Sequence, residues 1–270
     1  MKKFSTVMAV MLVLLIFAAM APPAAALSLS VGGERVSGAA VLYNSTTYVQ
    51  IRAVSEKLYP GAKVSWENRT AIVKTPSLTI TAKPGDYYIQ ANGRMLYADD
   101  GIKLVNGSVL VPVRVLAKAF GAEVYWDANS KSVTVTRGSG TITSGDKYYD
   151  SDSVYWLSRI INAESAGEPL KGKIAVGNVI LNRVASKEYP NTIYGVIFDR
   201  KWGVQFQPVA NGTIYNTPTA ESVLAAKLCL DGASVAGESL FFLNPAISTN
   251  FWIMETRKFY TKIGNHHFYL

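Results

Sequence analysis

The sequence predicts an α+β protein of two domains, in which a small β-rich α+β domain precedes a more helical one. Two observations predict this class. The first half contains a repeated strand–helix–hairpin unit, and the second half contains amphipathic helical stretches between short strand-like segments. The chain of 270 residues is long enough for two modest cores.

The amino terminus has the composition of a secretory signal. Lys2 and Lys3 precede an apolar run over residues 7–20, and the Ala-Ala-Ala of residues 24–26 suits cleavage. The run is shorter than the ~18 residues expected of a membrane span. We therefore predict that residues 1–26 are removed and that the mature protein is secreted without a transmembrane span. An uncleaved membrane anchor is the alternative.

Residues 27–137 contain an internal repeat. The segments over residues 47–58 and 109–120 align, and each runs into a Gly-Ala pair, a Trp and an alternating strand-like segment. Each copy therefore predicts a strand, a short helix and then a hairpin. Pro112 in the second copy has no N–H to donate, which predicts an edge position or a strand start at that point.

The repeat resembles the copper amine oxidase N-terminal-like domain over roughly residues 28–137. Its best marker is the Pro-Val-Arg of residues 112–114, from which the first copy departs with Gln-Ile-Arg at residues 50–52. Residues 27–137 contain no His and no Cys, so we expect no metal-ligand cluster there. We predict that this module binds the bacterial cell wall or acts as a spacer. Arg52 and Arg114 either close the corner between sheet and helix or contact the wall.

The basic excess lies in the first half of the chain. The whole chain has a formal net charge of +8. Residues 27–137 have 13 Lys and Arg against 8 Asp and Glu, whereas residues 138–270 have 12 against 11. A basic surface concentrates a protein at an anionic polymer such as the cell wall, and ordinary solvation charge is the alternative. We expect no nucleic-acid partner, because the sequence has no recognisable motif for one.

Small polar residues separate the two halves. Residues 138–150 are rich in Gly, Ser and Thr, a composition typical of a flexible linker. We therefore predict that this segment tethers the first domain to a second one at residues 151–270.

The second domain begins with an amphipathic helix that ends in a glutamate. Trp156, Leu157, Ile160 and Ile161 recur at the spacing of one buried helix face, and Glu164 is the next residue on that face. Burial disfavours the charged carboxylate and raises its pKa, which suits an acid that protonates a leaving group. A solvated or salt-bridged glutamate on a slightly rotated helix is the alternative.

Blocks of the second half resemble the SleB/CwlJ-type spore-cortex and cell-wall hydrolases. In family order they are residues 156–184, 189–193, 204–209, 242–245 and 263–266. The resemblance covers roughly residues 154–270 and implies a lysozyme-like α+β fold that cleaves peptidoglycan glycan strands. It implies that Glu164, in the Asn-Ala-Glu of residues 162–164, is the catalytic residue. It also implies action in the cell wall or spore cortex of a Gram-positive spore former.

Several residues are candidates for substrate binding. The loop over residues 199–213 combines flat aromatic rings with side-chain amides, which suit pyranose rings and their polar substituents. In this loop the candidate substrate-binding residues are Trp202, Gln205, Phe206 and Gln207. The resemblance to the cell-wall hydrolases adds Asn244, Trp252 and His266. The alternatives are a place in the core for the aromatic residues and a structural hydrogen bond for His266.

Two chemistries remain open at this point. Glu168 follows Glu164 by four residues, but Gly167 and Pro169 interrupt the helix, so we expect a turn or capping role for it. With a single acid, the C6 hydroxyl of muramic acid attacks intramolecularly, which is the lytic transglycosylation that the resemblance also implies. A two-carboxylate muramidase is one alternative, and a non-catalytic wall-binding or assembly protein is another.

We predict no metal and no cofactor. Cys229 is the only cysteine and lies in an apolar run, where a small buried side chain is expected. His266 and His267 are adjacent on a predicted strand and point to opposite faces, so they cannot readily chelate one ion together. The oligomeric state is left open.

Overall fold

The computed structural model describes residues 27–201, 203–249 and 251–270. The predicted signal at residues 1–26 lies outside them. The elements of the first half are β1 (Ser28–Val31), β2 (Glu34–Arg35), β3 (Ala40–Tyr43), β4 (Thr46–Gln50), α1 (Ile51–Leu58), β5 (Lys63–Glu67), β6 (Thr70–Lys74), β7 (Thr79–Ala82), β8 (Tyr88–Ala91), β9 (Arg94–Tyr97), β10 (Lys103–Val105), β11 (Ser108–Pro112), α2 (Val113–Ala119), β12 (Glu123–Asp127) and β13 (Ser132–Thr136).

The second half is mainly helical and ends in a small sheet. Its elements are α3 (Gly145–Tyr148), α4 (Ser151–Ser165), α5 (Leu170–Ala185), α6 (Ile193–Ile197), α7 (Gln207–Asn211), a 3-10 turn (Thr213–Tyr215), α8 (Ala220–Leu230), β14 (Phe241–Leu243), α9 (Trp252–Thr256), β15 (Phe259–Ile263) and β16 (His266–Tyr269). The predicted α+β class, with a β-rich first half, is confirmed. In the described part of the chain, no helix combines the length and apolar character of a membrane span.

The internal repeat is present as two strand–helix–hairpin units. β4, α1, β5 and β6 form the first unit, and β11, α2, β12 and β13 form the second. The units meet in the four-stranded sheet β10-β11-β4-β3, where Val49 of β4 lies opposite Val111 of the antiparallel β11. Val49 and Val111 are equivalent residues of the two copies. The copies are therefore arranged about a local two-fold axis between these strands.

A single core fills the first half. Val49, Val111 and Leu116 are completely buried, because alternate strand residues point inward and α2 packs over them. Two further sheets, ordered β12-β13-β1-β2 and β5-β6-β7-β8-β9, enclose this core.

Pro112 lies elsewhere than predicted. It is the last residue of β11, an inner strand, and it pairs with Tyr48. The missing N–H is tolerated because the chain leaves the sheet at this residue and enters α2, of which Pro112 is the N-cap.

Residues 138–150, the predicted flexible linker, lie against the first half of the chain. The Gly145 N–H donates to the Asn92 carbonyl oxygen at 2.8 Å, and the short helix α3 begins at Gly145. A Cβ at Gly145 would lie 2.5 Å from the Gly93 carbonyl oxygen, so this approach requires glycine. A small residue that suggested flexibility in the sequence thus permits close packing in the fold.

A buried ion pair joins the two halves. Arg94, at the start of β9, donates through Nε to Asp231, the residue that follows α8, at 3.1 Å. Asp231 also accepts from the Tyr149 hydroxyl and lies 3.2 Å from Lys118 Nζ. Charge compensation of this kind is required, because an unpaired buried carboxylate is strongly unfavourable. Around the pair, side chains of β8 and β9 pack against the core of the second half.

The second core lies between α4, α5 and α8. Of the predicted buried face of α4, Leu157, Ile160 and Ile161 are completely buried, and Trp156 is partly buried against the same core. At Gly177 of α5, a Cβ would lie 2.6 Å from Cys229 Sγ, so glycine allows α5 and α8 to pack closely. The sheet β14-β16-β15 packs beside α5 through β14 and β15. Cys229 is buried, as predicted.

The ends of α4 follow from local signals. The Asp150 side chain accepts the Ser153 N–H at 2.7 Å and so caps the start of the helix. The helix ends at Ser165, and Pro169 is the N-cap of α5. This break leaves Glu164 in the last turn of α4, where its side chain can reach an open surface.

Candidate active site

Glu164 is the second-to-last residue of α4, and its carboxyl group is mostly buried. Burial raises the pKa of this carboxyl to about 7, although the charge of Arg183 opposes the rise. The negative end of the α4 dipole acts in the same direction as burial. A carboxyl with this pKa holds its proton in about half of the molecules at neutral pH and can both donate and accept a proton.

An open cleft of about 960 Å³ runs past Glu164. One wall comes from the end of α4, a second from α7 and its flanking residues, and a third from β14 and the loop after it. The polar side chains that line it are Asn162, Glu164, Gln205, Gln207, Asn211, Thr213, Asn216, Asn244, Ser248, Thr249 and His266. Glu164 is the only acidic residue of that lining within the described residues. A cleft rich in amides and hydroxyls is suited to the hydroxyl and acetamido groups of a sugar strand.

Four of the predicted substrate-binding residues line this cleft. Gln205 and Gln207 approach from the α7 side, and Asn244 and His266 from the sheet side. The Asn244 Oδ1 accepts the Ala246 N–H at 3.0 Å, which orients its amide. Burial lowers the pKa of His266, so its ring is neutral at neutral pH. The fold therefore brings together residues that lie far apart in the sequence.

Two predicted contacts lie elsewhere. Phe206 is buried in the second core, with the Arg183 guanidinium 5.2 Å from its ring centre. Its neighbours Gln205 and Gln207 reach the cleft, and Phe206 between them turns inward. Trp252 is exposed at the start of α9, where Arg257 lies 4.7 Å from its ring, and it is not part of the cleft lining. Trp202 lies outside the described residues.

Glu168 does not itself line the cleft, although its Oε1 lies 3.8 Å from Nδ1 of His266, which does. Its Oε2 accepts the Asn265 N–H and its Oε1 accepts from Asn265 Nδ2, both at 2.9 Å. Burial opposes ionisation, but these hydrogen bonds outweigh it and lower the pKa of Glu168. The carboxylate fits against Gly264, where a Cβ would overlap it at 1.8 Å from Oε2. Glu168 thus fixes the β15–β16 turn, in agreement with the expected turn role.

Arg183 also acts on the site, although it was not among the predicted residues. This residue of α5 is buried, its Nε donates to the Leu240 carbonyl oxygen at 2.7 Å, and its guanidinium lies 5.0 Å from the Tyr189 ring centre. Burial lowers its pKa. Its charge acts on Glu164 and favours the carboxylate form. A signal existed, because Arg183 continues the buried stripe of Val179 and Ile180.

No group of three or more His, Cys, Asp or Glu side chains within the described ranges could hold an ion. The polar groups at Glu164 are mostly amides and hydroxyls, which suit a sugar better than a transition metal.

Both halves of the chain match known family models. Residues 167–269 match the family model described as cell wall hydrolase, and residues 30–135 match the copper amine oxidase N-terminal domain. The chain carries a cell wall hydrolase domain behind a copper amine oxidase N-terminal domain. The first match begins just after Glu164, so the position of Glu164 in the site rests on the geometry described above.

Individual relatives are spore proteins. A spore cortex-lytic enzyme of Bacillus cereus is 39% identical over 120 residues, which are 44% of this chain and 45% of the relative. One from Oceanobacillus iheyensis is 32% identical over 154 residues, 55% of this chain and 54% of the relative. The chain thus spans about half the length of the curated relatives it matches.

Among solved structures, the catalytic domain of the germination-specific lytic transglycosylase SleB from Bacillus anthracis is 37% identical. It aligns with 48% of this chain and 100% of its own length, at a TM-score of 0.42.

Proposed function

We propose that this protein cleaves the glycan strands of peptidoglycan, with Glu164 as general acid. The observation that carries this proposal is the mostly buried Glu164 carboxyl, with a pKa of about 7, on the wall of an amide-rich cleft. The bond cleaved is the one between N-acetylmuramic acid and N-acetylglucosamine. Gln205, Gln207, Asn244 and His266 hold the strand through its hydroxyl and acetamido groups.

The reaction is a lytic transglycosylation. Glu164 donates its proton to the glycosidic oxygen as the bond to the anomeric carbon of muramic acid breaks. The C6 hydroxyl of the same muramic acid then bonds to that carbon and releases its proton to the Glu164 carboxylate. The product is a 1,6-anhydro end, and the enzyme returns to its starting protonation state. This route needs one carboxyl group, and its nucleophile is already part of the bound substrate.

The hydrogen bonds that hold the Glu168 carboxylate favour this route over a two-carboxylate muramidase. A second catalytic carboxylate would have to lie across the cleft from Glu164, either to activate water or to attack the anomeric carbon itself. Glu168 is instead held by two hydrogen bonds from Asn265 in the β15–β16 turn.

The biological setting that we propose is cortex lysis during spore germination or turnover of the wall. The curated relatives are named spore cortex-lytic enzymes, and their organisms include Bacillus cereus and Oceanobacillus iheyensis. Export by the predicted signal at residues 1–26 would bring the chain to that substrate. The first domain would attach it to the wall.

Digestion of purified substrates tests the proposal. Decoated spores and vegetative sacculi are incubated side by side with the full chain, and the products are analysed by mass spectrometry. We expect 1,6-anhydro ends, which are one water lighter than reducing ends. Predominantly reducing ends would instead establish a hydrolase. If neither wall type releases soluble glycan, the result would support a non-catalytic wall-binding protein.

A further inference from the structure

The first half of the chain has two grooves outside the candidate active site, and the repeat relates them to each other. Groove 1 lies beside α1 and has a volume of about 580 Å³; groove 2 lies beside α2 and has about 710 Å³. Each is lined by an arginine, a tryptophan and a leucine at equivalent positions of the repeat. They are Arg52, Trp66 and Leu104 in groove 1, and Arg114, Trp126 and Leu42 in groove 2.

Both copies of the repeat contribute to each groove. Leu104 of groove 1 comes from the β10–β11 hairpin, whereas Leu42 of groove 2 comes from the equivalent β3–β4 hairpin. Each leucine lies two residues before the asparagine of a tight turn with positive φ, Asn106 and Asn44. The two-fold arrangement of β4 and β11 carries each hairpin across to the helix of the other copy. A single copy therefore cannot form a groove.

Large apolar side chains are exposed in these grooves. Trp66 is 49% exposed and Trp126 is 40% exposed, and the two leucines are exposed to a greater degree. Trp66 lies opposite Ala71 and Trp126 opposite Val133 on the neighbouring strands, and these partners also line the grooves. An exposed indole face suits a flat sugar ring, and a neighbouring guanidinium suits a carboxylate.

The two grooves differ in charge. Groove 2 contains Arg114 and Lys131, and its described lining includes no acidic side chain. In groove 1, Arg52 lies 3.6 Å from Glu56, which offsets its charge. Groove 2 is therefore the more favourable of the two for an anionic ligand.

We propose that the two grooves bind glycan strands of peptidoglycan, with the tryptophans against pyranose rings and the arginines against carboxylates of the attached peptides. This inference rests on the proposed substrate. Two weak sites on one chain raise the residence time on a polymer that repeats the same unit, because the second contact forms at high effective concentration. The active-site cleft then works on strands near the attached ones.

Binding to insoluble wall tests this inference. All variants are made in the full chain with Glu164→Gln, so that the wall is not digested, and sedimented with sacculi stripped of phosphate-containing polymers. We expect Trp66→Ala with Trp126→Ala to weaken binding at least about 10-fold, and each single change to weaken it less. Trp126→Phe keeps a flat ring and should therefore retain most of the binding that Trp126→Ala loses. Tyr125→Ala is the matched control, because Tyr125 is an exposed aromatic residue next to Trp126 that does not line the groove.

Charge is tested separately. Arg114→Gln should weaken binding and reduce its salt dependence, whereas Arg35→Gln, which removes one charge from the exposed strand β2, should do neither. Peptide-bearing glycan oligomers should compete for the grooves better than chitin oligomers, which lack carboxylates. If the double tryptophan variant does not fold, as judged by circular dichroism, Arg52→Gln with Arg114→Gln takes its place.

The outcomes separate this inference from the proposed activity. The inference would be overturned if a folded variant with both Trp66→Ala and Trp126→Ala bound the wall as tightly as the chain with Glu164→Gln alone. It would also be overturned if binding required the phosphate-containing polymers. Failure of the chain without substitutions to cleave soluble glycan, together with tryptophan-dependent wall binding, would overturn the activity and leave the grooves standing. Cleavage of soluble glycan together with wall binding that does not depend on the tryptophans would overturn the inference about the grooves and leave the activity standing.

Discussion

Glu164 combines a retained proton with access to a cleft, and these two conditions conflict in most proteins. Exposure normally lowers the pKa of a carboxyl to its solution value, and full burial prevents contact with substrate. The end of α4 resolves the conflict because the helix stops at Ser165. The apolar face of the helix surrounds the carboxyl group on one side, and the cleft opens on the other.

Replacement of this carboxyl tests its role. Glu164→Gln keeps the shape of the side chain but removes the acidic proton, so lytic activity should fall at least about 100-fold. Release of soluble glycan from sacculi measures the effect, and circular dichroism checks the fold. Glu255→Gln, an exposed glutamate of α9 in the same domain, is the control and should retain activity. Activity within a few-fold of the wild type in Glu164→Gln would remove Glu164 from the mechanism.

The pKa of Glu164 also predicts a pH dependence of activity. The general acid must be protonated, and its pKa is about 7. The rate should therefore fall as the pH rises through 7, by about tenfold per unit well above it. A rate profile on soluble glycan measures this, and a profile that is flat from pH 6 to 9 would contradict the assignment.

The same shift predicts how folding stability depends on pH. Folding raises the pKa of Glu164 from 4.5 to about 7, so the folded state binds more protons between these values. The free energy of unfolding should fall as the pH rises through this window, by at most about 3 kcal/mol, and level off above it. Glu164→Gln removes this contribution. The variant should therefore gain stability relative to the wild type at pH 8 but not at pH 4, as measured by urea unfolding.

At the scale of elements, the β15–β16 turn depends on one carboxylate. Glu168→Gln keeps one acceptor oxygen for Asn265, so the turn should persist with a modest loss of stability. Because transglycosylation needs no base for water, we expect activity within a few-fold of the wild type. Assay of released glycan decides this. Loss of activity with an intact fold would favour the two-carboxylate muramidase.

The contact between α5 and α8 depends on a missing side chain. In Gly177→Ala, the new methyl group would lie 2.6 Å from Cys229 Sγ and 2.9 Å from Ile161 Cδ1. The helices would have to separate, which should destabilise the fold by roughly 1–3 kcal/mol. Gly167→Ala is the matched control, because a methyl group there has no atom within 4 Å. Equal unfolding midpoints for the two variants in urea would contradict the packing described here.

At the scale of the whole molecule, the two halves are coupled by charges of very different exposure. Arg94 and Asp231 are buried, whereas Lys171 and Asp99 form a partly exposed pair at 2.9 Å between the same halves. Arg94→Leu leaves the Asp231 carboxylate with less compensation and should cost about 3 kcal/mol in the free energy of unfolding. Lys171→Gln should cost less than about 1 kcal/mol. Thermal unfolding of both variants measures the difference, and similar losses would mean that the buried pair does not couple the halves.

The sequence by itself determined the features that depend on local periodicity and on repetition. The stripe of Leu157, Ile160 and Ile161 placed Glu164 at the end of a buried helix face, because a side chain's direction on a helix follows from its position. The two copies of the repeat predicted a strand, a helix and a hairpin each, because these elements also depend on the local pattern of residues. Gln205 and Gln207, which line the cleft, were likewise predicted from residue type and neighbourhood.

Only the tertiary structure decided features that depend on distant neighbours. Phe206 has the residue type of a sugar platform, but it packs in the second core, where the Arg183 guanidinium lies 5.2 Å from its ring centre. Arg94 and Asp231 look like ordinary surface charges in the sequence, and their pairing requires two halves to meet. The two grooves require one copy's hairpin to cross to the other copy's helix. Such contacts are set by the packing of whole elements, which no local pattern of residues specifies.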